Sequence, residues 1–226
     1  MADQRLPLAL FDLDDTLCDY ESARNERLAI AFSQADDLDS KRVDDMVAES
    51  IAHHHHGTDH FPALFARYGI NDPSAADSAA AWYRTNRFHG LKLFADTEPV
   101  LRSIRHAGYP VGIITNGPAD VQRAKVNLLG VNDLVDFAIV SGEFGVAKPH
   151  PSIFHAALKA GGRSASEALF VGDALEFDIT GANGVAIRSV WMNRRGKTRN
   201  AADPKPNHEV SDLHQVFAIL REVASE

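Results

Sequence analysis

The fold is decided by residues 8–17, LALFDLDDTL, in which a short apolar run ends abruptly in carboxylates. An apolar run of this length, bounded by polar residues, is typical of a strand that is buried on both faces. In an open parallel sheet, ligands bind beyond the carboxyl ends of the strands. The stretch therefore predicts a strand at Leu8–Phe11 that delivers Asp12 and Asp14 to a ligand site.

Further apolar runs of the same kind follow along the chain: Val111–Ile114, Phe137–Val140, Ala168–Val171 and Val185–Val190. Two helical patterns lie between the later runs, at Pro118–Leu129 and Pro151–Ala160. Each pattern opens with proline and is followed by glycine, which is the usual order at the two ends of a helix. Strands that alternate with helices predict an α/β fold, a Rossmann-like parallel sheet of five core strands with helices on both faces.

The first two runs are separated by far more chain than one crossover needs, from about Leu17 to Pro110. This gap contains several further helical patterns: Glu21–Phe32, Ser40–Ala52, Phe61–Tyr68 and Ser74–Phe88. We predict an inserted all-helical cap domain at residues 18–90, and a catalytic core made of residues 1–17 and 91–226. In the core, a helix at Thr97–Ala107 leads back into the sheet, and a polar loop at Asn193–His208 precedes a last helix at Asp212–Val223.

Polar clusters also follow the next three apolar runs, and Ser141-Gly142-Glu143 comes directly after the third run. Thr115-Asn116-Gly117 comes after the second run, Lys148-Pro149 follows the third at a short distance, and Gly172-Asp173 with Asp178 comes after the fourth. Taken singly, each cluster is an ordinary turn, cap or solvated segment. Their shared position predicts that one site at the carboxyl edge of the sheet collects all of them.

Two carboxylates near one site repel each other, so their pKa values separate and their roles differ. Asp12 and Asp14 can then act as a nucleophile and as an acid that protonates a leaving group. Asp173 and Asp178 add more negative charge, and a cluster of oxygen ligands of this kind suits Mg²⁺. The remaining clusters predict a phosphate site, with donors from Thr115, Asn116, Gly117 and the following helix start, and a point charge from Lys148.

Composition excludes several other classes of function. The net charge of −8 disfavours broad binding to nucleic acid, which depends on basic patches. No apolar stretch approaches the roughly 20 residues of a membrane span, and the amino terminus does not resemble a signal peptide. We therefore expect a cytoplasmic protein without nucleic-acid or membrane partners. We also expect a monomer or homodimer, with a small phosphorylated metabolite as the ligand of the predicted phosphate site.

The four clusters together resemble the four motifs of the haloacid dehalogenase superfamily, and the resemblance covers essentially the whole chain. The insertion point resembles the helical cap of the subgroup that contains many small-metabolite phosphatases. The resemblance implies an aspartyl-phosphate on Asp12, acid and base roles for Asp14, and a phosphoryl group held by Thr115 and Lys148. It also implies that Mg²⁺ binds Asp12, the Asp14 backbone carbonyl and Asp173, with support from Asp178.

Three alternatives to a phosphatase remain open at this point. A phosphomutase shares the whole catalytic set. A 2-haloacid dehalogenase uses no Mg²⁺ and no second acid, so Asp14 and Asp173 argue against it. A non-catalytic binding module has no physical need for clustered like charges. The histidine run His53–His56, with His60 after it, is interpreted as a solvated cap segment, and the basic residues at 194–199 as a solvated loop.

Overall fold

The computed structural model describes residues 6–35, 38–53 and 57–224. The chain divides into two compact units, one made of Met1–Asp19 with Leu93–Glu226, and the other of Tyr20–Lys92. The first unit is built on a parallel sheet and the second is helical.

Within the described residues, the sheet has six strands in the order β3-β2-β1-β4-β5-β6, and each neighbouring pair is parallel. The strands are β1 Leu8–Phe11, β2 Val111–Thr115, β3 Phe137–Val140, β4 Ala168–Gly172, β5 Arg188–Met192 and β6 His208–Val210. Strand β1 is central, and its register sets Phe11 opposite Ile113 of β2 and Val171 of β4. The residues that follow these three strands therefore emerge side by side at the carboxyl edge.

Helices follow or precede the strands of this unit: α5 Thr97–His106, α6 Ala119–Leu128, α7 Ser141–Phe144, α8 Pro151–Gly161, α9 Thr180–Gly184 and α10 His214–Val223. A π-helical turn at Leu175–Ile179 precedes α9. Helix α8 shows how the local sequence sets these bounds, because Pro151 begins it and Gly162, with a left-handed φ of 62°, ends it. Leu8, Ile153, Phe154 and Phe170 are completely buried together between sheet and helix.

The predicted α/β class is confirmed, but the predicted count of five core strands is wrong. The polar composition of residues 193–208 predicts a loop, whereas His208–Val210 forms β6 beside β5. This strand is three residues long and buries one side chain, so it leaves no apolar run to detect. Strand β5 also begins later than the apolar run that predicted it, because Ala186 takes a left-handed φ of 59° before the chain becomes extended.

The helical unit comprises α1 Tyr20–Phe32, α2 Ser40–Ala52, α3 Phe61–Arg67 and α4 Pro73–Thr85. Two of these helices begin at aspartate caps, since Asp39 accepts a hydrogen bond from the Arg42 backbone N–H and Asp72 accepts one from that of Ser74. The helices pack around aromatic rings, with the centroids of Phe32 and Phe61 4.9 Å apart in an edge-to-face arrangement.

The histidine run lies only partly within the described residues. His53 ends α2, and its backbone N–H donates to the carbonyl oxygens of Glu49 and Ile51. His54–His56 fall outside the described residues. His60 follows His56 by four residues, a spacing that also occurs in metal-binding pairs. Its Nε2 lies 2.8 Å from the hydroxyl oxygen of Ser50.

The basic loop after β5 is partly bound to the sheet unit rather than solvated. The Arg194 guanidinium donates to both carboxylate oxygens of Asp96 at 3.0 Å and to the Thr16 carbonyl. It also stacks over the ring of Phe94, with the guanidinium carbon 3.9 Å from the ring centroid. The Leu213 backbone N–H donates to the same Asp96 carboxylate, so this pair joins the loop to the start of α10.

Replacing Arg194 with methionine should lower the free energy of unfolding by about 2 kcal/mol, because it leaves the Asp96 carboxylate inside the fold without a cationic partner. Urea unfolding at neutral pH measures this change. Lys41→Met is the matched control, since Lys41 pairs with Asp45 on the open surface of α2 and such pairs contribute little. Equal effects of the two substitutions would contradict the assignment.

The same pair predicts how the effect depends on pH. Burial alone would raise the pKa of Asp96, but hydrogen bonds from Arg194 and Leu213 lower it below its usual value. A lowered folded-state pKa stabilises the protein above the pKa of the unfolded chain, and this contribution is lost as the pH falls through the folded-state pKa. The stability difference between wild type and Arg194→Met should therefore shrink in acid.

Candidate active site

Asp12 lies directly after the central strand, where its backbone N–H donates to the Val171 carbonyl of β4 at 2.9 Å. Its side chain is buried. Burial raises the pKa of Asp12 to about 7 against the opposing charge of Lys148, and the nearby carboxylates of Asp178 and Asp14 add to the rise. The fold therefore buries the Asp12 carboxylate where its ionised form is unfavourable unless a cation lies beside it.

Lys148 connects Asp12 to a second buried carboxylate, that of Asp178. Its ammonium donates to Asp12 Oδ1 at 2.5 Å and to Asp178 Oδ1 at 2.7 Å, and its side chain is 2% exposed. Burial alone would lower the pKa of Lys148, but these two carboxylates raise it above its usual value. The lysine is therefore charged, and it holds Asp12 and Asp178 together.

The side chain of Asn116 fixes the backbone of the loop that carries this lysine. Asn116 Nδ2 donates to the Lys148 carbonyl at 3.0 Å, and the Lys148 backbone N–H donates to Asn116 Oδ1 at 2.9 Å. The Lys148–Pro149 peptide bond in this loop is cis. Asn116, which the sequence analysis placed among the phosphate-binding residues, thus uses both ends of its amide to position Lys148.

Three carboxylates lie close enough to share one cation. Asp12, Asp173 and Asp178 each offer an oxygen, and these oxygens lie within 4.8 Å of one another. Burial raises the pKa of Asp173 well above its usual value, and the charges of Asp178 and Asp12 raise it further. Asp178 is held by the Ala174 backbone N–H, which donates to Oδ2 at 3.0 Å. These oxygen donors, two buried and one half-buried, repel one another and fit a hard divalent cation such as Mg²⁺.

Asp178 reaches this position because residue 172 has no side chain. A Cβ atom built on Gly172 would lie 2.3 Å from Asp178 Oδ2, which is far inside van der Waals contact. The glycine at the end of β4 therefore makes the space that the Asp178 carboxylate fills.

Asp14 forms an ion pair with a different lysine, Lys125. This lysine was not among the predicted site residues. Lys125 Nζ donates to Asp14 Oδ2 at 2.6 Å, and Gln122 Nε2 donates to the same oxygen at 3.2 Å. Cys18 Sγ lies 3.6 Å from the other oxygen. Burial, with the charge of Asp14, raises the pKa of the Cys18 thiol, so this thiol stays protonated and does not act as a nucleophile.

Two groups of the predicted phosphate site already have hydrogen-bond partners within the protein. The Gly117 backbone N–H donates to the Ser141 hydroxyl at 2.9 Å, and the Thr115 hydroxyl accepts a hydrogen bond from Gln122. Gly117 has a φ of 146°, which favours glycine and turns the chain into α6. Among the predicted phosphate ligands, Lys148 has its ammonium at the carboxylates of Asp12 and Asp178, and Thr115 is joined to Asp14 through Gln122, whereas Gly117 and Asn116 shape the loops.

The balance of charge explains what the site can bind. Asp12 and Asp178 pair with Lys148, Asp14 pairs with Lys125, and Asp173 lies in one acidic group with Asp12 and Asp178. When all six side chains are ionised, four negative charges and two positive charges leave an excess of two negative charges. A divalent cation compensates this excess, and it would then allow an anionic ester to approach a carboxylate nucleophile. The arrangement suits transfer of a phosphoryl group.

The chain belongs to the haloacid dehalogenase-like hydrolases, whose family model matches residues 6–185. It is similar to glyceraldehyde 3-phosphate phosphatases of Methanopyrus kandleri, with 32% identity over 96% of this chain and 98% of the relative, and of Pyrococcus abyssi, with 34% identity over 98% and 95%. The predictions of the superfamily and of a phosphatase enzyme are confirmed.

The fold is also similar to that of a solved hydrolase of the same superfamily, YfnB from Bacillus subtilis, with a TM-score of 0.76 and 23% identity over 96% of this chain and 99% of that one. This likeness supports the fold alone. Over the part of the chain that the structure describes, none of the helices has the length and apolar character needed to cross a membrane.

Proposed function

We propose that this phosphatase hydrolyses a small-molecule phosphate monoester with Mg²⁺, through an aspartyl-phosphate formed on Asp12. One observation carries the proposal: the buried Asp12 carboxylate is held by Lys148 and also belongs to an acidic cluster with Asp173 and Asp178. A structural carboxylate would need the lysine but not the two further acids. A nucleophile that must meet a phosphate dianion needs both.

In the first step, an Asp12 carboxylate oxygen attacks phosphorus and the bond from phosphorus to the ester oxygen breaks. The departing oxygen keeps the electron pair of that bond and takes a proton from Asp14. Lys148 and the Thr115 hydroxyl stabilise the charge on the phosphoryl oxygens. The products of this step are the free alcohol and phosphorylated Asp12.

In the second step, the Asp14 carboxylate takes a proton from a water molecule as the water oxygen attacks the phosphorus. The bond between phosphorus and the Asp12 oxygen breaks, and its electron pair returns to Asp12. Inorganic phosphate leaves, and both aspartates regain their starting protonation states. Asp14 thus acts as an acid in the first step and as a base in the second, because the proton that it gives to the alcohol is replaced by one from water.

Asp12, Asp173 and Asp178 would hold the cation, together with the Asp14 backbone carbonyl, as the family resemblance implies. The cation supplies charge neutralisation, so that the carboxylate and the phosphate can approach each other. It would also lower the raised pKa values of Asp12 and Asp173, because an adjacent positive charge favours the ionised form.

The substrate is proposed to be a small phosphorylated metabolite. The two full-length relatives are named for glyceraldehyde 3-phosphate, so a short sugar phosphate is the first compound to test. We propose that the helical residues 18–90 serve as a cap that selects the substrate, and that residues 1–17 and 91–226 form the catalytic core. A monomeric or homodimeric cytoplasmic enzyme, without nucleic acid or membrane partners, stays a prediction.

The competing functions are separated by their products. A phosphomutase would return a phosphorylated isomer rather than inorganic phosphate. A 2-haloacid dehalogenase would release halide without a metal ion, and a binding module would release nothing. The carboxylate cluster around Lys148 favours the phosphatase over the dehalogenase and the binding module, since neither of these functions requires a site for a divalent cation.

Removal of the metal ion should abolish phosphate release. The protein is treated with a chelator and assayed with glyceraldehyde 3-phosphate, other sugar phosphates, nucleoside monophosphates and phosphoglycolate, with and without added Mg²⁺. Without the cation, the excess negative charge repels the ester, so turnover should fall to background and return when Mg²⁺ is restored. Release that persists in the chelator would contradict the metal requirement. A folded protein that releases phosphate from no ester would overturn the proposed function.

A further inference from the structure

Two side chains of α6 hydrogen-bond to the carboxylate of Asp14. Lys125 contacts Asp14 Oδ2 at 2.6 Å, and Gln122 donates both to this oxygen and to the Thr115 hydroxyl. Positions 122 and 125 are three apart, so they share one face of the helix. Because α6 begins just after β2, that face meets the carboxyl edge of the sheet.

The burial of these two residues argues against a purely structural role. Gln122 is 1% exposed and Lys125 is 4% exposed. A lysine that only had to cover apolar surface could keep its ammonium in water at the end of its flexible stem. Here the ammonium is withdrawn from solvent, which is costly unless it is paired, and it is paired with the one carboxylate that the proposed mechanism uses for proton transfer.

The site therefore assigns a separate lysine to each catalytic aspartate. Lys148 binds Asp12 and Asp178, whereas Lys125 binds Asp14. Gln122 connects Asp14 to Thr115, which lies at the predicted phosphate position. The orientation of the Asp14 carboxylate is thereby fixed relative to the Thr115 hydroxyl.

We infer that Lys125 and Gln122 are positioning residues that hold the Asp14 carboxylate for proton transfer to and from the ester. The inference rests on the proposed function and deepens it. Neither residue touches the reacting atoms, so each acts through Asp14. Loss of either should impair the acid and base steps and leave the attack by Asp12 in place.

The test uses esters that differ in how much they need an acid. Glyceraldehyde 3-phosphate loses an alkoxide, which requires a proton, whereas p-nitrophenyl phosphate loses a stable phenolate, which does not. Lys125→Met should lower kcat/KM for the alkyl ester by about 100-fold, within the usual contribution of a positioned acid, and for the aryl ester much less. Gln122→Met should act in the same direction with a smaller loss, and Lys125→Arg, which keeps the charge and donors, should recover most of the activity.

Controls separate positioning from a general loss of structure. Arg123→Met removes a cation from the same helix that pairs with Glu143 instead, so any loss should be equal for both esters. In an Asp14→Asn background, Lys125→Met should cause no further loss, because residues that act as a unit are not additive. Thermal unfolding of each variant confirms that it is folded.

Each outcome decides between the proposals. A wild-type enzyme that turns over both esters, with a Lys125→Met variant whose kcat/KM falls by the same factor on each, would overturn the positioning role and leave the phosphatase intact. An additive loss in the Asp14→Asn background would overturn it equally. A wild-type protein that turns over neither ester would refute the proposed function, and this role with it.

Discussion

Asp12→Asn is expected to reduce phosphate release by about four orders of magnitude or more, as loss of a covalent nucleophile does in other hydrolases. The amide cannot attack phosphorus, and Asp12 is the residue after β1 whose carboxylate both pairs with Lys148 and lies beside those of Asp173 and Asp178. Initial rates with the best ester of the panel, at saturating Mg²⁺, measure the loss. Acid-quenched mass spectrometry should find phosphate on Asp12 in the wild-type enzyme and on no residue of the variant.

The matched control is Asp15→Asn. It removes the same charge three residues later, and asparagine tolerates the left-handed φ of 57° at this position. Asp15 faces Arg195 rather than the lysine of the cluster, so most of the activity should remain. Equal losses in the two variants would show that the loop needs its total charge rather than a nucleophile at position 12.

Lys148→Met is expected to lower kcat by about 100-fold to 1000-fold, the usual cost of removing one donor to a developing anion. It should also lower the free energy of unfolding by about 3 kcal/mol, because it leaves two buried carboxylates, Asp12 and Asp178, without their shared cation. Initial rates and urea unfolding measure the two effects. Added Mg²⁺ should stabilise the variant more than the wild type, since the cation then carries the whole charge compensation.

Lys159→Met provides the comparison for this experiment. Lys159 lies on the exposed face of α8, so its loss should change neither turnover nor stability. A Lys148→Met enzyme with wild-type rates would show that the phosphoryl group is held by other donors. A variant that loses activity while Mg²⁺ fails to stabilise it would argue that the acidic cluster does not bind the cation.

The fold could be predicted because its strands are short apolar runs that end in polar residues. β1 and β3 have the bounds that these runs predicted. β1 is buried along its whole length, as an uninterrupted apolar run predicts, whereas the edge strand β3 is apolar but mostly half-buried. β6 could not be predicted in this way. An edge strand of three residues is defined by its backbone hydrogen bonds to β5, and side-chain patterns do not record those bonds.

The predicted site residues do meet at one edge, but their partners were harder to foresee. Asp12, Lys148 and Asp178 form one hydrogen-bonded cluster although 136 and 30 residues separate the bonded pairs. Gln122 and Lys125 were missed because polar residues three apart on a helix usually mark a solvated face. Only the packing of α6 against the sheet edge shows that this face is buried.

The space left by Gly172 has a consequence for how this chain can change over generations. Any side chain at position 172 would occupy the volume of the Asp178 carboxylate, and that carboxylate is held by Lys148 and by the Ala174 N–H. Mutations at 172 and 178 are therefore not independent events. Two positions only six codons apart are therefore selected together, and a glycine that itself performs no chemistry cannot be replaced without loss of the carboxylate beside it.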